Sequence, residues 1–204
     1  VGAAAIASSP VSASPTTWQF RYDAKYTGMI TVPDNPIKSA DAALYLMKHQ
    51  PNLKITDPYE LTQAQFDASV NLLKTQRPLV KKYWGLASQE ISLFQNGDVA
   101  VGAAWPYQTS TLKAANAPIA DTIPSEGATG WADTWMLATK APHPNCAYLW
   151  TTYVSTPTVQ AVQATNSAPT PVNSQASPSM EPTQPGPSPP YPPRTPTPPF
   201  PPPP

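Results

Sequence analysis

The 204-residue chain contains 30 prolines, about 15% against a usual ~5%, and 15 of them fall in the 27 residues from Pro178 to Pro204, a stretch too poor in apolar side chains and backbone donors to pack a core. Basic and acidic residues number 12 each, so the net charge is zero, which argues against a nucleic-acid partner. The single cysteine, Cys146, excludes an internal disulfide and a CxxC zinc site, two lone histidines (His49 and His143) argue against a histidine metal centre, and no apolar run reaches the ~18 residues of a membrane span.

Residues 1–15 (VGAAAIASSPVSASP) are small and polar, lack the positive start of a signal peptide, and read as a disordered lead. Order is expected from about Trp18. A turn at Tyr26-Thr27-Gly28 precedes a short apolar strand, Met29 to Val32, and Pro33-Asp34-Asn35-Pro36 closes it as a loop. The Ala/Leu-rich stretch Ser39 to His49 predicts a helix, stopped by Pro51. Thr62-Gln63-Ala64-Gln65 has the form of a capping box, and Phe66, Val70, Leu73 and Arg77 then follow at helical spacing up to Pro78. A second helical piece is expected over Leu79 to Tyr83, and a third from Ser88 to a left-handed stop at Asn96-Gly97. Asp98 to Trp105 (DVAVGAAW) predicts a buried strand whose Gly102, Ala103 and Ala104 leave room for a close approach. Thr109 to Ala115 predicts a helix and Ala120 to Ile123 a strand. After a glycine break at 127–130, Asp133 to Thr139 predicts another strand. Helices then open at Pro144, with His143 as cap, and at Thr156-Pro157. Strands alternating with helices indicate an α/β fold with a mixed or parallel sheet.

Catalytic signatures are missing from the sequence. There is no GxSxG, HExxH or Walker motif, and no carboxylate pair stands out as an acid/base couple, so neither an enzyme nor a cofactor is expected. Cys146 and His143 read as a small buried residue and a cap rather than as a nucleophile and base. The aromatics carry more information. Trp105 and Tyr107 stand at a strand end, and Trp131, Asp133 and Trp135 follow the glycine break. Indole faces and a carboxylate at strand ends form a clamp for an organic cation, each ring contributing ~0.5–2 kcal/mol, and open α/β sheets bind ligands at the C-terminal ends of their strands. The alternative is core packing, which spacing alone favours, most clearly for Trp135.

Five segments, in order, resemble one family. Thr16-Thr17-Trp18 with Tyr26-Thr27-Gly28, Ile30 to Leu46 (ITVPDNPIKSADAALYL), Glu90 to Trp105 (EISLFQNGDVAVGAAW), Gly127 to Trp135 (GATGWADTW) and His143 to Trp150 (HPNCAYLW) are similar to the spermidine/putrescine-type solute-binding proteins of ABC transporters. The resemblance covers about residues 16 to 175. It implies a periplasmic-binding-protein type II-like fold of two α/β lobes, each a mixed sheet flanked by helices, closing on a small cationic, polyamine-like solute. It also implies no catalysis, delivery to the ABC permease of an importer, and a periplasmic or extracytoplasmic location. Carried over position by position, Trp105, Trp131 and Asp133 would contact the ligand, and Asp34 and Asn35 would fall on the acidic loop that holds a second amine.

The resemblance is incomplete at three points. Lys38 falls on or near a position where the polyamine binders carry a glutamate, and Ala168 falls where they carry a tyrosine. The match also begins about where the family crosses into its second lobe, so most of the first lobe is expected to lie outside these residues. The implied organisation is a disordered lead over 1–15, a ligand-binding lobe over 16–125, a crossover and partial return to the other lobe over 126–176, and a disordered proline-rich tail over 177–204. A partial lobe of this kind implies an unpaired edge on the strand at 133–139, weak ligand binding and a tendency to aggregate. The tail admits two origins: a reading-frame shift, which would make this a non-functional copy, or a polyproline arm that docks on a partner and gives the chain an interaction role. A receptor for a different small solute in the same fold is the other reading, and Lys38 favours it.

Overall fold

The computed structural model describes residues 4–8, 16–167 and 171–179. The remainder of the expected lead, Ala168, and the proline-rich stretch from 180 onward lie outside the described residues. The chain divides into two units, Val1–Met136 and Leu137–Pro204.

The first unit is built on five strands: β1 (Ala4–Ser8), β2 (Ile30–Pro33), β3 (Val80–Trp84), β4 (Val101–Ala104) and β5 (Ile119–Thr122), in the order β3-β2-β4-β1-β5. β2 runs parallel to both β3 and β4, whereas β1 is antiparallel to β4 and β5. The sheet is therefore mixed and carries helices between its strands, which is the α/β, periplasmic-binding-protein-like architecture that the sequence implied. β2 is Ile-Thr-Val-Pro, with every residue buried; β-branched side chains suit a strand covered on both faces.

The α-helices of this unit among the described residues are α1 (Lys38–His49), α2 (Gln63–Gln76), α3 (Ala87–Gln95) and α4 (Pro106–Ala114). The expected capping box of α2 is present, the Gln65 N–H donating to Thr62 Oγ1 and the Thr62 N–H donating to Gln65 Oε1 at 2.9 Å. α3 ends as expected at Gly97, whose φ of 72° is the left-handed geometry that glycine adopts without a Cβ clash. The main core gathers Trp18, Phe20, Ile30, Val32, Tyr45, Val101 and Ala103. A second cluster joins Phe94, Val99, Ala104 and Leu112 under α3 and α4, and a third joins Ala43, Leu46 and Ile55 beside α2.

Several expectations are corrected. Within the lead expected to be disordered, Ala4–Ser8 forms β1, the strand between β4 and β5. The run Ala-Ala-Ile-Ala carries no turn residue, and its backbone supplies the ladder partners that β4 and β5 would otherwise lack. The segment expected as helical over Leu79 to Tyr83 is a single 3-10 turn, Arg77–Leu79, followed by strand β3. Val-Lys-Lys-Tyr-Trp is too short for a stable helix, and its β-branched and aromatic residues pair with β2 instead. The strand expected over Asp133 to Thr139 is not one: an extended segment becomes a strand only with a ladder partner, and none of the described strands pairs with it. Residues 126–136, assigned by the sequence to the crossover, stay with the first unit.

The second unit contains α5 (Pro144–Val154), α6 (Pro157–Ser167) and a 3-10 turn at Ser174–Ser179. Proline opens both helices at their first position, as expected, but His143 makes no side-chain cap. Val154, Ala161, Ala164 and Ala176 are buried. Tyr148, Leu149, Trp150 and Tyr153 on α5 are exposed, and Cys146, expected to be buried, is exposed too: none of the described elements of this unit covers that side of α5 as a second layer would. No helix among the described residues is long and apolar enough to cross a membrane.

Candidate functional site

Because β2 is parallel to both neighbours, the C-terminal ends of β3, β2 and β4 lie along one edge of the sheet. Three segments of sequence emerge there: Trp84 and Gly85 from β3, Asp34 and Asn35 from β2, and Trp105 from β4. Trp105 has extended backbone and is the residue before α4, whose Pro106 occupies the first helical position. Its ring meets Trp84 edge-on at 4.8 Å between centroids and 77°, and meets Trp131 in the same manner at 5.1 Å and 68°. Edge-to-face contacts of this kind are the favoured packing of aromatic quadrupoles. Trp84 is buried, while Trp105 and Trp131 are only half covered, so the row runs from the core to the surface.

Trp131 arrives at the edge on a strap, residues 125–130, that is tied down along its length. The Ser125 N–H donates to the Thr16 carbonyl at 2.8 Å. Glu126 accepts from the Thr17 hydroxyl and from the Trp18 N–H, and contacts the His49 ring at 2.9 Å. The Trp18 indole N–H donates to the Gly127 carbonyl at 2.8 Å. The Thr129 hydroxyl donates to Asp41 Oδ1, and the Tyr59 hydroxyl both donates to the Gly130 carbonyl and accepts from the Gly130 N–H, each at 2.8 Å. Asp41 also holds Arg21, with Nη1 3.0 Å from Oδ2, and the guanidinium lies 3.9 Å over the Trp18 ring. Burial disfavours the Glu126 charge, but the bonds from Thr17, His49 and Trp18 outweigh it and hold this carboxyl below its ordinary value.

The candidate residues are placed as follows. Trp105 and Trp131 come together. Asp34 stands at the edge, exposed, its N–H donating to the Trp84 carbonyl at 2.8 Å and so fixing the loop to β3. Asn35 is spent locally: its Oδ1 accepts from the Ile37 N–H at 3.0 Å in an Asx turn that leads into α1. Asp133 lies two residues beyond Trp131, exposed, with no hydrogen bond or ion pair among the described residues. Trp135, expected to be core, is 65% exposed.

Trp84 has no sequence signal of its own, because a helical reading of Leu79 to Tyr83 leaves it in a connection. Lys38 stands out in the sequence only as a departure from the family pattern. Lys38 Nζ lies 4.0 Å over the Tyr83 ring. Burial pulls its proton affinity down to about 8, and Asp34 partly opposes that.

The room left by Gly102 has an occupant within the chain. A Cβ there would stand 2.9 Å from Thr31 Cγ2 and 3.2 Å from Glu90 Oε1, so the glycine permits β4 to pass β2 and α3 closely. Glu90 is fully buried, and neither carboxyl oxygen makes a well-aligned hydrogen bond among the described residues. Burial pushes this carboxyl well above its ordinary value, tempered by the Trp84 indole, Arg21 and Gln108. Glu90 thus underlies the aromatic row without opening to it. No group of three or more His, Cys, Asp or Glu residues that could hold a metal occurs among the described residues.

Residues 3–186 match the model of the bacterial extracellular solute-binding proteins. The chain belongs to this family. It is thereby one of the solute-binding proteins and not an enzyme. The fold agrees with solved structures at low identity. The spermidine/putrescine ABC transporter substrate-binding protein of Streptococcus pneumoniae aligns with a TM-score of 0.70 at 15% identity, over 88% of this chain and 53% of that one. A protein of Listeria monocytogenes described as a spermidine/putrescine ABC transporter gives 0.72 at 17%, over 88% and 53%. The GABA receptor Atu4243 gives 0.67 at 17%, over 89% and 54%. The chain spans about half the length of each of these proteins.

Proposed function

We propose that this protein is the solute-capturing component of an ABC importer, working outside the cytoplasmic membrane and passing its solute to the permease. The ligand would sit at the carboxyl edge of β2, β3 and β4, and it would carry a primary ammonium. The similar proteins named for spermidine, putrescine and GABA have that group in common among their ligands. The observation that carries the reading is the pairing of half-buried Trp105 and Trp131 at this edge, with Asp34 exposed at the end of β2 and Asp133 exposed two residues beyond Trp131. Indole faces attract an ammonium, and a carboxylate completes the pair. Trp84 would act from behind by orienting Trp105.

The test is isothermal titration of the full chain with putrescine, spermidine and GABA, followed by the same titrations on Trp131→Ala and Asp133→Ala. Each substitution is expected to weaken binding about tenfold or more, since a desolvated aromatic–cation contact or a charge-assisted pair is worth about 1.5–2 kcal/mol. Binding that survives both substitutions unchanged would move the site elsewhere.

A further inference from the structure

The charged groups on this edge are of both signs, and we infer that the solute carries a carboxylate as well as an ammonium: a short ω-amino carboxylic acid or a similar zwitterion, with Lys38 receiving the carboxylate. The inference rests on the ligand-edge reading above and narrows it.

Lys38 opens α1, close behind the Asp34–Asn35 loop at the end of β2. Its ammonium is steered by the Tyr83 ring, 4.0 Å away. The ion pairs among the described residues are Arg21–Asp41, His49–Glu126 and Lys113–Asp121, so no carboxylate there lies within 4.0 Å of Lys38 Nζ. Asp34 attracts Lys38 without pairing with it. The other cation close by is already engaged, since Arg21 is buried against Asp41 and Trp18. Lys38 is therefore the half-buried positive group at the β2 end of the edge that still has donors to offer an incoming anion. An aromatic face fixes where the ammonium sits but accepts none of its hydrogen bonds in the way a carboxylate oxygen does. With a proton affinity near 8, it is mostly charged at neutral pH.

Charge complementarity then discriminates between ligands of one length. A diamine would place its first ammonium against Trp105 and Trp131 and bring its second towards Lys38, where like charges repel in partly dry surroundings. An ω-amino acid would keep the first contact and exchange that repulsion for a charge-assisted bond. Lys38 is in this sense a specificity-determining residue for the solute.

The experiment is isothermal titration of the full chain at neutral pH with GABA and with putrescine, matched in length and differing in the sign of one end. The wild type is expected to favour GABA by about ten- to a hundredfold, the range of one charge-assisted hydrogen bond. Lys38→Glu should invert the preference, and Lys38→Met, which keeps the apolar stem over Tyr83, should erase it. Circular dichroism of each variant checks that it folds, and if Lys38→Glu does not, Lys38→Met decides. A wild type that binds putrescine in preference to GABA overturns the inference and leaves the site reading standing, as does a preference that neither substitution changes. Failure to bind either compound overturns the site reading and the inference with it.

Discussion

Asp41 is the acceptor through which α1, the 3-10 turn at Trp18–Tyr22 and the strap all meet, and Asp41→Ala is the most informative single change to the first unit. In the native protein the side chains of Arg21 and Asp41 are 3% and 5% exposed. The guanidinium Nε and Nη2 already lack partners. Removing the carboxylate leaves a buried cation over the face of Trp18 without its ion-pair partner, and it deprives the Thr129 hydroxyl of its acceptor. Breaking a buried ion pair from one side costs about 3–5 kcal/mol, and leaving the Thr129 hydroxyl without its acceptor adds about 1 kcal/mol. The cation–π contact with Trp18 is already present in the native protein and offsets nothing new, so the expected loss is about 4–6 kcal/mol. For a chain of this size that is a fall in Tm of about 8–24 °C. Urea unfolding followed by tryptophan fluorescence should show a lower midpoint with an unchanged slope. Arg21→Met in the same molecule as Asp41→Leu should recover most of the loss, because an apolar pair leaves no buried charge. A loss below ~1 kcal/mol for Asp41→Ala, or no recovery in the double variant, would refute the view that this pair is dry and shared.

Three further outcomes follow from the same structure. Gly102→Ala should destabilise by about 1–3 kcal/mol, measured by the same urea titration, because the added Cβ meets the backbone and side chain of Thr31 rather than open space. Glu90→Gln should stabilise the protein increasingly as pH rises above the ordinary glutamate value of 4.5: the folded state keeps Glu90 protonated where the unfolded state releases the proton, so wild-type stability falls with pH in that window and the glutamine removes the fall. Glu126 works in the opposite sense. Its depressed folded value contributes stability that is complete above 4.5 and is lost as pH falls through the folded value, so Glu126→Gln should flatten the acid limb of the stability profile.

Elements whose signals are local could be read from the sequence. The α2 capping box, the left-handed stop at Gly97 and the prolines opening α5 and α6 are each set by a few adjacent residues, and all of them are found. The misreadings share a different cause. β1 and β3 are short segments whose state depends on partners far along the chain: Ala5 pairs with Ala103 and Thr122, and Val32 pairs with Tyr83. Their own residues hold about one helical turn's worth of pattern, which cannot separate a buried strand from a helix fragment. The segment over Asp133 to Thr139 fails in the reverse direction, since it has strand composition and no ladder to join.

The candidate site divides along the same line. Trp105 is marked by its place at the end of an apolar run and Trp131 by its place just after a glycine break, and the structure brings their rings together. What holds them there had no sequence signal. Glu126 in SEGATG looks like one exposed acid in a glycine-rich break, yet it gathers Thr17, Trp18 and His49 from far earlier in the chain. The glycines that made the segment look like a loose hinge let it follow the surface closely enough for its carbonyls to be bonded: the Gly127 carbonyl to the Trp18 indole, the Gly130 carbonyl to Tyr59. The positive φ of 89° at Gly127 is the one place on the strap where a side chain would strain the backbone. Flexibility in the unfolded chain and rigidity in the folded one therefore come from the same residues. Placement of Trp131 against Trp105 depends on that rigidity, and in the site we propose it would lower the cost of binding, because walls set before the solute arrives need not be ordered by it.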